Sequence, residues 1–189
     1  MRSIEVLLAI DGADFAKELP EQVSDGVRSV INKCRELSCD AFVSVSFVSE
    51  SVFAPMHMEP SAKAELPAAE EMKFGERFTV CALEQACHSL RDFYRFYYRP
   101  DLLPEKTLLF LIGADPTDAD GSAVSKMQYL VDFQSREFGW DFFSFSFGMA
   151  DLGEICGVSA DKRHRAERSA VGVTRAFSEI SEIISEFEK

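Results

Sequence analysis

Two short segments carry the side chains best suited to chemistry. Asp11-Gly12-Ala13-Asp14-Phe15 closes one apolar run, and Gly113-Ala114-Asp115-Pro116-Thr117-Asp118 closes another. They offer carboxylates, oxygen donors of the kind that a hard divalent cation such as Mg²⁺ takes. Asp11, Asp14 and Asp115 would also suit metal-assisted hydrolysis. A phosphate does not suit them. A dinucleotide loop needs Gly-x-Gly-x-x-Gly and a P-loop needs Gly-Lys-Ser/Thr, and neither is present. Two acids at a helix entrance would repel the anion.

Other groupings read more simply as structure. His57 between Met56 and Met58 resembles a soft-metal site, since thioethers select Cu(I), but a packed surface loop is the simpler reading. Cys87 and His88 are neighbours on a helix and point about 100° apart, so they do not form a nucleophilic pair. Sequence alone leaves open a pairing of Cys81 or Cys156 with His164. Arg91 to Pro100 interleaves three arginines with aromatics, as single-stranded nucleic-acid platforms do. The four-residue spacing of Arg91, Arg95 and Arg99 makes a solvated helix face the simpler reading, with Phe96 and Tyr98 as candidate protein contacts. Asp161 to Arg168 is a basic run, expected as a solvated loop. Glu179, Glu182, Glu186 and Glu188 form a solubilising face.

The elements that must position these residues follow from periodicity. Ile4–Ile10 is a continuous apolar run, the signature of a parallel strand buried on both faces. Leu19, Val23, Val27, Val30, Cys34 and Leu37 recur at helical spacing behind Pro20. Ala41–Val48 alternates as a strand. From Ser49 to Gly75 three prolines break the pattern, predicting a long loop with at most a short strand near Val52 and Phe53. A helix is predicted from Phe78, a strand over Thr107–Ile112, a helix over Ser122–Phe138 stopped by Gly139, a strand at Asp141–Phe147, a short helix near Ala150–Cys156, and a final helix over Val171–Glu188. Alternating strands and helices predict an α/β chain with a three-layer, doubly wound (Rossmann-like), mostly parallel sheet, as one domain spanning residues 1–189. Ligands of such sheets bind at the carboxyl ends of the strands. The loops after Ile10 and Ile112 and the helix entrance at Thr79 are therefore the expected working surface.

Composition narrows the partners. With 20 Lys and Arg against 32 Asp and Glu among 189 residues, the net charge is −12. That sign disfavours nucleic acid and anionic membrane surfaces. Five cysteines without a Cys-x-x-Cys pair read as thiols of a reducing compartment. Glu5 interrupts what would be the apolar part of a signal peptide, and no apolar run is long enough to span a membrane. The expected location is the cytoplasm.

A first strand ending in Asp, a Thr at a later helix start, and an apolar strand running into Pro-Thr-Asp resemble the von Willebrand factor type A (vWA) family over nearly the whole chain. The phenylalanine-rich strand ending in Phe147-Gly148 and the closing amphipathic helix extend the likeness. It looks closest to the short bacterial single-domain vWA proteins of the tellurium-resistance-associated kind. The resemblance implies a metal-ion-dependent adhesion site: Asp-x-Ser-x-Ser after the first strand, a Thr, and an Asp after the fourth strand. Here Asp11 and Thr79 match, but Ala13 and Phe15 stand at the two Ser positions and Gly113 at the second Asp. A degenerate site without tightly held metal is the expectation, with Asp14 or Asp115 as substitutes if Mg²⁺ or Mn²⁺ binds.

The function expected on these grounds is a non-catalytic module that binds another protein, of unknown identity, through Asp11, Asp14, Phe15, Thr79, Asp115 and Asp118. Phe15 is the expected aromatic contact. A cation-dependent adhesion module with rearranged ligands is the alternative, and a metal-assisted hydrolase a third.

Overall fold

The computed structural model describes residues 3–68, 71, 74–96 and 104–187, with backbone alone for 90–96. Six strands form one sheet in the order β3-β2-β1-β4-β5-β6. They are β1 (Ser3–Asp11), β2 (Asp40–Val48), β3 (Val52–Pro60), β4 (Lys106–Gly113), β5 (Asp141–Ser146) and β6 (Arg163–Arg165). All neighbours run parallel except β2 and β3. The fold is therefore α/β with a mostly parallel sheet, as the alternation of elements predicts.

The strand pleat divides the core in two. Val6, Leu8 and Ile10 of β1 point to one side, where they meet α2 (Pro20–Glu36) and α6 (Ala170–Glu186) through Val23, Val27, Val30, Phe177 and Ile180. Leu7 and Ala9 point to the other side, against α3 (Val80–Phe96), α4 (Gly121–Phe138) and α5 (Leu152–Cys156) through Leu83, Cys87, Met127, Leu130 and Cys156. Burying each such side chain contributes about 1.5–3 kcal/mol. This two-sided burial is why β1 and β4 read as unbroken apolar runs. Phe143, Phe145 and Phe147 share the α2/α6 side, with Phe110 stacked on Phe143 at 5.1 Å between centroids. Gly26 of α2 lies under the ring of Phe177, where a Cβ would come within 2.2 Å of Cδ2.

Three elements differ from expectation. The predicted loop after Ser49 holds β3, a nine-residue antiparallel edge strand. Pro55 and Pro60, register shifts against β2, and Met58 at φ 47° spoil its period, so it did not read as a strand. The basic run contains β6, three residues paired with β5. A short helix, α1 (Asp14–Glu18), precedes α2. Part of the Arg91–Pro100 stretch, including Tyr98, lies outside the described residues, as do the side chains of Arg95 and Phe96. Among the described residues no helix is long and apolar enough to cross a membrane.

Candidate functional site at the carboxyl edge

The chain winds outward in both directions from β1 and β4, which lie side by side with Ile10 opposite Ile112. The crevice beyond these two strands is the switch point where doubly wound sheets bind ligands. Asp11 ends β1 and Gly113 ends β4, so the fold brings the two predicted segments together.

Asp11 is buried, 1% exposed. Its Oδ1 accepts the Ala13 N–H at 2.8 Å and its Oδ2 accepts the Ala114 N–H at 3.2 Å. One carboxylate thus fastens the β1 loop to the β4 loop. Burial pushes its pKa up to about 6, against the two amide bonds and the positive field of Arg168, while Asp14 nearby reinforces the rise.

The other acids at this edge serve the same kind of tie. Asp115, after β4, accepts the N–H groups of Met149 (3.1 Å) and Ala150 (2.7 Å) in the β5 loop. Asp118 accepts those of Val80 and Cys81, the first two residues of α3. Glu50, after β2, accepts Glu76 N–H at 2.9 Å and Arg77 N–H at 3.0 Å. The amide donors, Arg77 N–H first among them, hold the Glu50 carboxyl below the usual carboxylate range. Thr79 caps α3: its hydroxyl donates to the Ser49 carbonyl and accepts from Ala82 N–H, both at 3.1 Å. Each tie joins one loop to its neighbour, so the edge is a laced surface whose shape is set by backbone amides meeting anions.

Of the predicted contact residues, Asp14 and Asp115 are exposed and Asp118 and Thr79 half-buried. Asp11 is too deep to touch a partner. Phe15 corrects the expectation more sharply. It is 0% exposed and packs on Phe147 at 4.5 Å between centroids, because α1 folds it under the loop into the α2/α6 core. Among the described residues, Met149 in the β5 loop is 90% exposed, with its backbone N–H held by Asp115. Its signal in the sequence was faint: Gly148, where a Cβ would fall 2.2 Å from Asp115 Oδ1, marks the tight approach.

The donor set does not fit a divalent cation that wants near-octahedral oxygen ligands. Ala13, Phe15 and Gly113 bring no side-chain oxygen, and both oxygens of Asp11 face amides. Among the described residues no three His, Cys, Asp or Glu converge in a way that could hold a metal ion.

The remaining groupings fall elsewhere. His57 sits half-buried on β3, and burial lowers its pKa. Cys87 lies in the core with its thiol pushed up to about 12, while His88 turns away to Glu84 at 3.3 Å. Cys156 is buried on the α3 side, whereas His164 stacks on Phe145 on the opposite side and meets Glu179 at 2.7 Å. Cys81 is exposed at the start of α3, so neither cysteine is placed with His164. In the basic run, Lys162 pairs with Asp141, Arg163 donates to the Val158 carbonyl and Arg168 pairs with Glu18.

No family model matches the sequence, and no curated protein matches it either. Solved structures match in fold at low identity. Proximal thread matrix protein 1 from the mussel byssus is 8% identical over 96% of this chain and 46% of its own, with a TM-score of 0.65. The pilus adhesin SpaC from Lactobacillus rhamnosus GG is 11% identical over 97% of this chain and 30% of its own, at 0.68. The ArnB paralog VWA2 from Sulfolobus acidocaldarius is 16% identical over 96% of this chain and 45% of its own, at 0.58. The chain spans less than half the length of each of them. The likeness is one of fold, and the fold is of the vWA type.

Proposed function

We propose that this chain is a non-catalytic module that binds another protein through the loops at the carboxyl edge of its sheet, without a tightly bound cation. The observation that carries the reading is the lacing: Asp11, Asp115, Asp118 and Glu50 each hold two backbone amides, which fixes the loops without a metal to gather them. A preorganised surface loses little freedom on binding. Met149, exposed in the loop that Asp115 holds, supplies the apolar contact.

The order of motifs supports kinship with short bacterial single-domain vWA proteins of the tellurium-resistance-associated kind. The absence of any disulfide among the five cysteines supports a reducing, cytoplasmic setting.

Affinity capture from lysate, followed by titration with the recovered partner, tests the reading. Met149→Asp should weaken binding at least tenfold with circular dichroism unchanged, and EDTA should not matter. Loss of binding in EDTA would establish the cation-dependent alternative. Binding that survives Met149→Asp and Asp118→Ala but is lost on changing Arg95, Phe96 and Tyr98 would move the interface to α3 and the segment after it.

A further inference from the structure

Gly113 stands where the resemblance places a metal-contacting acid, and the structure shows what fills the room that acid would use. A Cβ on Gly113 would lie 2.8 Å from Asp11 Cβ, and 3.1 and 3.2 Å from Cε1 and Cζ of Phe78. The ring of Phe78 is 3% exposed and lies against the end of β4. We propose that Phe78 is an aromatic plug: its ring occupies the space a carboxylate at position 113 would need, so the crevice between β1 and β4 is closed to a hydrated divalent cation by packing as well as by lost ligands. The proposal rests on the metal-free half of the function given above and adds the cause.

The plug is held from several directions. The Phe78 carbonyl accepts both the backbone N–H and the hydroxyl of Thr117, at 2.9 and 3.1 Å. Thr79 is tied to Ser49, and the next two amides are tied to Asp118. These bonds fix the backbone that carries the ring, and the ring itself is packed, 3% exposed, against the end of β4. A cation of this class keeps ligands at about 2.1 Å and usually retains water. A ring at the end of β4 offers it neither a lone pair nor space. Position 113 and position 78 are therefore coupled: a side chain at 113 would meet Asp11 Cβ first, at 2.8 Å, and the Phe78 ring next, at 3.1 Å. Restoring oxygen ligands alone should fail.

The test uses the full chain in three forms: the parent, Ala13→Ser/Gly113→Asp, and Ala13→Ser/Phe78→Ala/Gly113→Asp. Each is titrated with Mn²⁺ by calorimetry and melted with and without it, with circular dichroism as the check on folding. Saturable binding and a raised melting temperature are expected only in the triple variant, at least tenfold tighter than in the double. Equal binding in the double and triple variants would overturn the plug and leave the parent's metal-free reading standing. Binding by the parent would overturn both. A folded triple variant that binds nothing would also overturn the plug. If the triple variant does not fold, a double-mutant cycle decides: Gly113→Ala should raise the unfolding equilibrium constant at least fivefold less in a Phe78→Ala background, and additive effects would overturn the proposal.

Discussion

Ser44 joins Glu5 to the edge of the sheet. Its hydroxyl donates to Glu5 Oε1 at 2.9 Å and accepts the Met58 N–H at 2.8 Å, so a fully buried acid on β1 is linked through β2 to the irregular turn of β3. Glu5 Oε2 has no hydrogen-bond partner among the described residues. Burial dominates and pushes the Glu5 pKa from 4.5 up to about 7.

A pH dependence follows, with a definite sign. The native carboxyl holds its proton more tightly than the unfolded one, so its contribution to stability is complete below pH 4.5 and is lost as pH rises through 7. The shift corresponds to a loss on the order of 3 kcal/mol. Glu5→Gln should therefore gain on the parent between pH 5 and pH 8, as measured by urea unfolding at both. An unchanged gap at the two pH values would contradict the assignment.

Asp118→Ala should cost about 1–2 kcal/mol, the usual loss for a helix cap, because two amides at the start of α3 lose their acceptor. Hydrogen exchange should quicken at Val80 and Cys81 and remain slow at Leu109 and Leu111 in β4. Exchange unchanged at the α3 start would show that the tie is dispensable.

Phe15→Ala should destabilise by about 3–5 kcal/mol, since the ring is buried against Phe147 and its loss leaves a cavity. At a concentration where the variant is folded, partner affinity should stay within twofold of the parent. A large affinity loss with little change in stability would restore Phe15 to the binding surface.

Gly26→Ala runs against helix propensity, which favours Ala by about 1 kcal/mol. The added methyl would meet the Phe177 ring, at 2.2 Å from Cδ2, so the net effect should be a loss of about 1–3 kcal/mol as α2 and α6 are forced apart. Chemical denaturation measures it directly, and a gain in stability would show that the ring yields.

The parts of the fold read most easily from the sequence are those where one physical demand dominates. Ile4–Ile10 and Thr107–Ile112 are buried on both faces, and the stripe from Val23 to Cys34 must cover one side of the sheet. Patterns hold there because water is excluded. β3 is hidden because its prolines, its register shifts against β2 and Met58 at φ 47° break the alternation a half-wet strand otherwise shows, and β6 because three residues carry no period. At the site, Asp11, Thr79, Asp115 and Asp118 were found as residue types but their partners were not. Those partners are backbone amides of Ala13, Ala114, Val80, Cys81, Met149 and Ala150, which leave no mark on side-chain identity. Phe15 misleads because the resemblance puts it at a ligand position of the adhesion site, whereas the single turn of α1 carries it beneath.

The two borders of the sheet bear on how copies of this chain avoid one another. A bare strand is a template for pairing, and stacking of strand on strand is the route to insoluble polymers. On one border, Pro55 and Pro60 bring no N–H, and the left-handed residue Met58 bends the line of donors. On the other, β6 presents three residues, too short a run to register a foreign strand. Both borders disfavour extension of the sheet, so contacts between chains should fall to side chains and loops, and crowding of the folded protein should not readily seed fibrils.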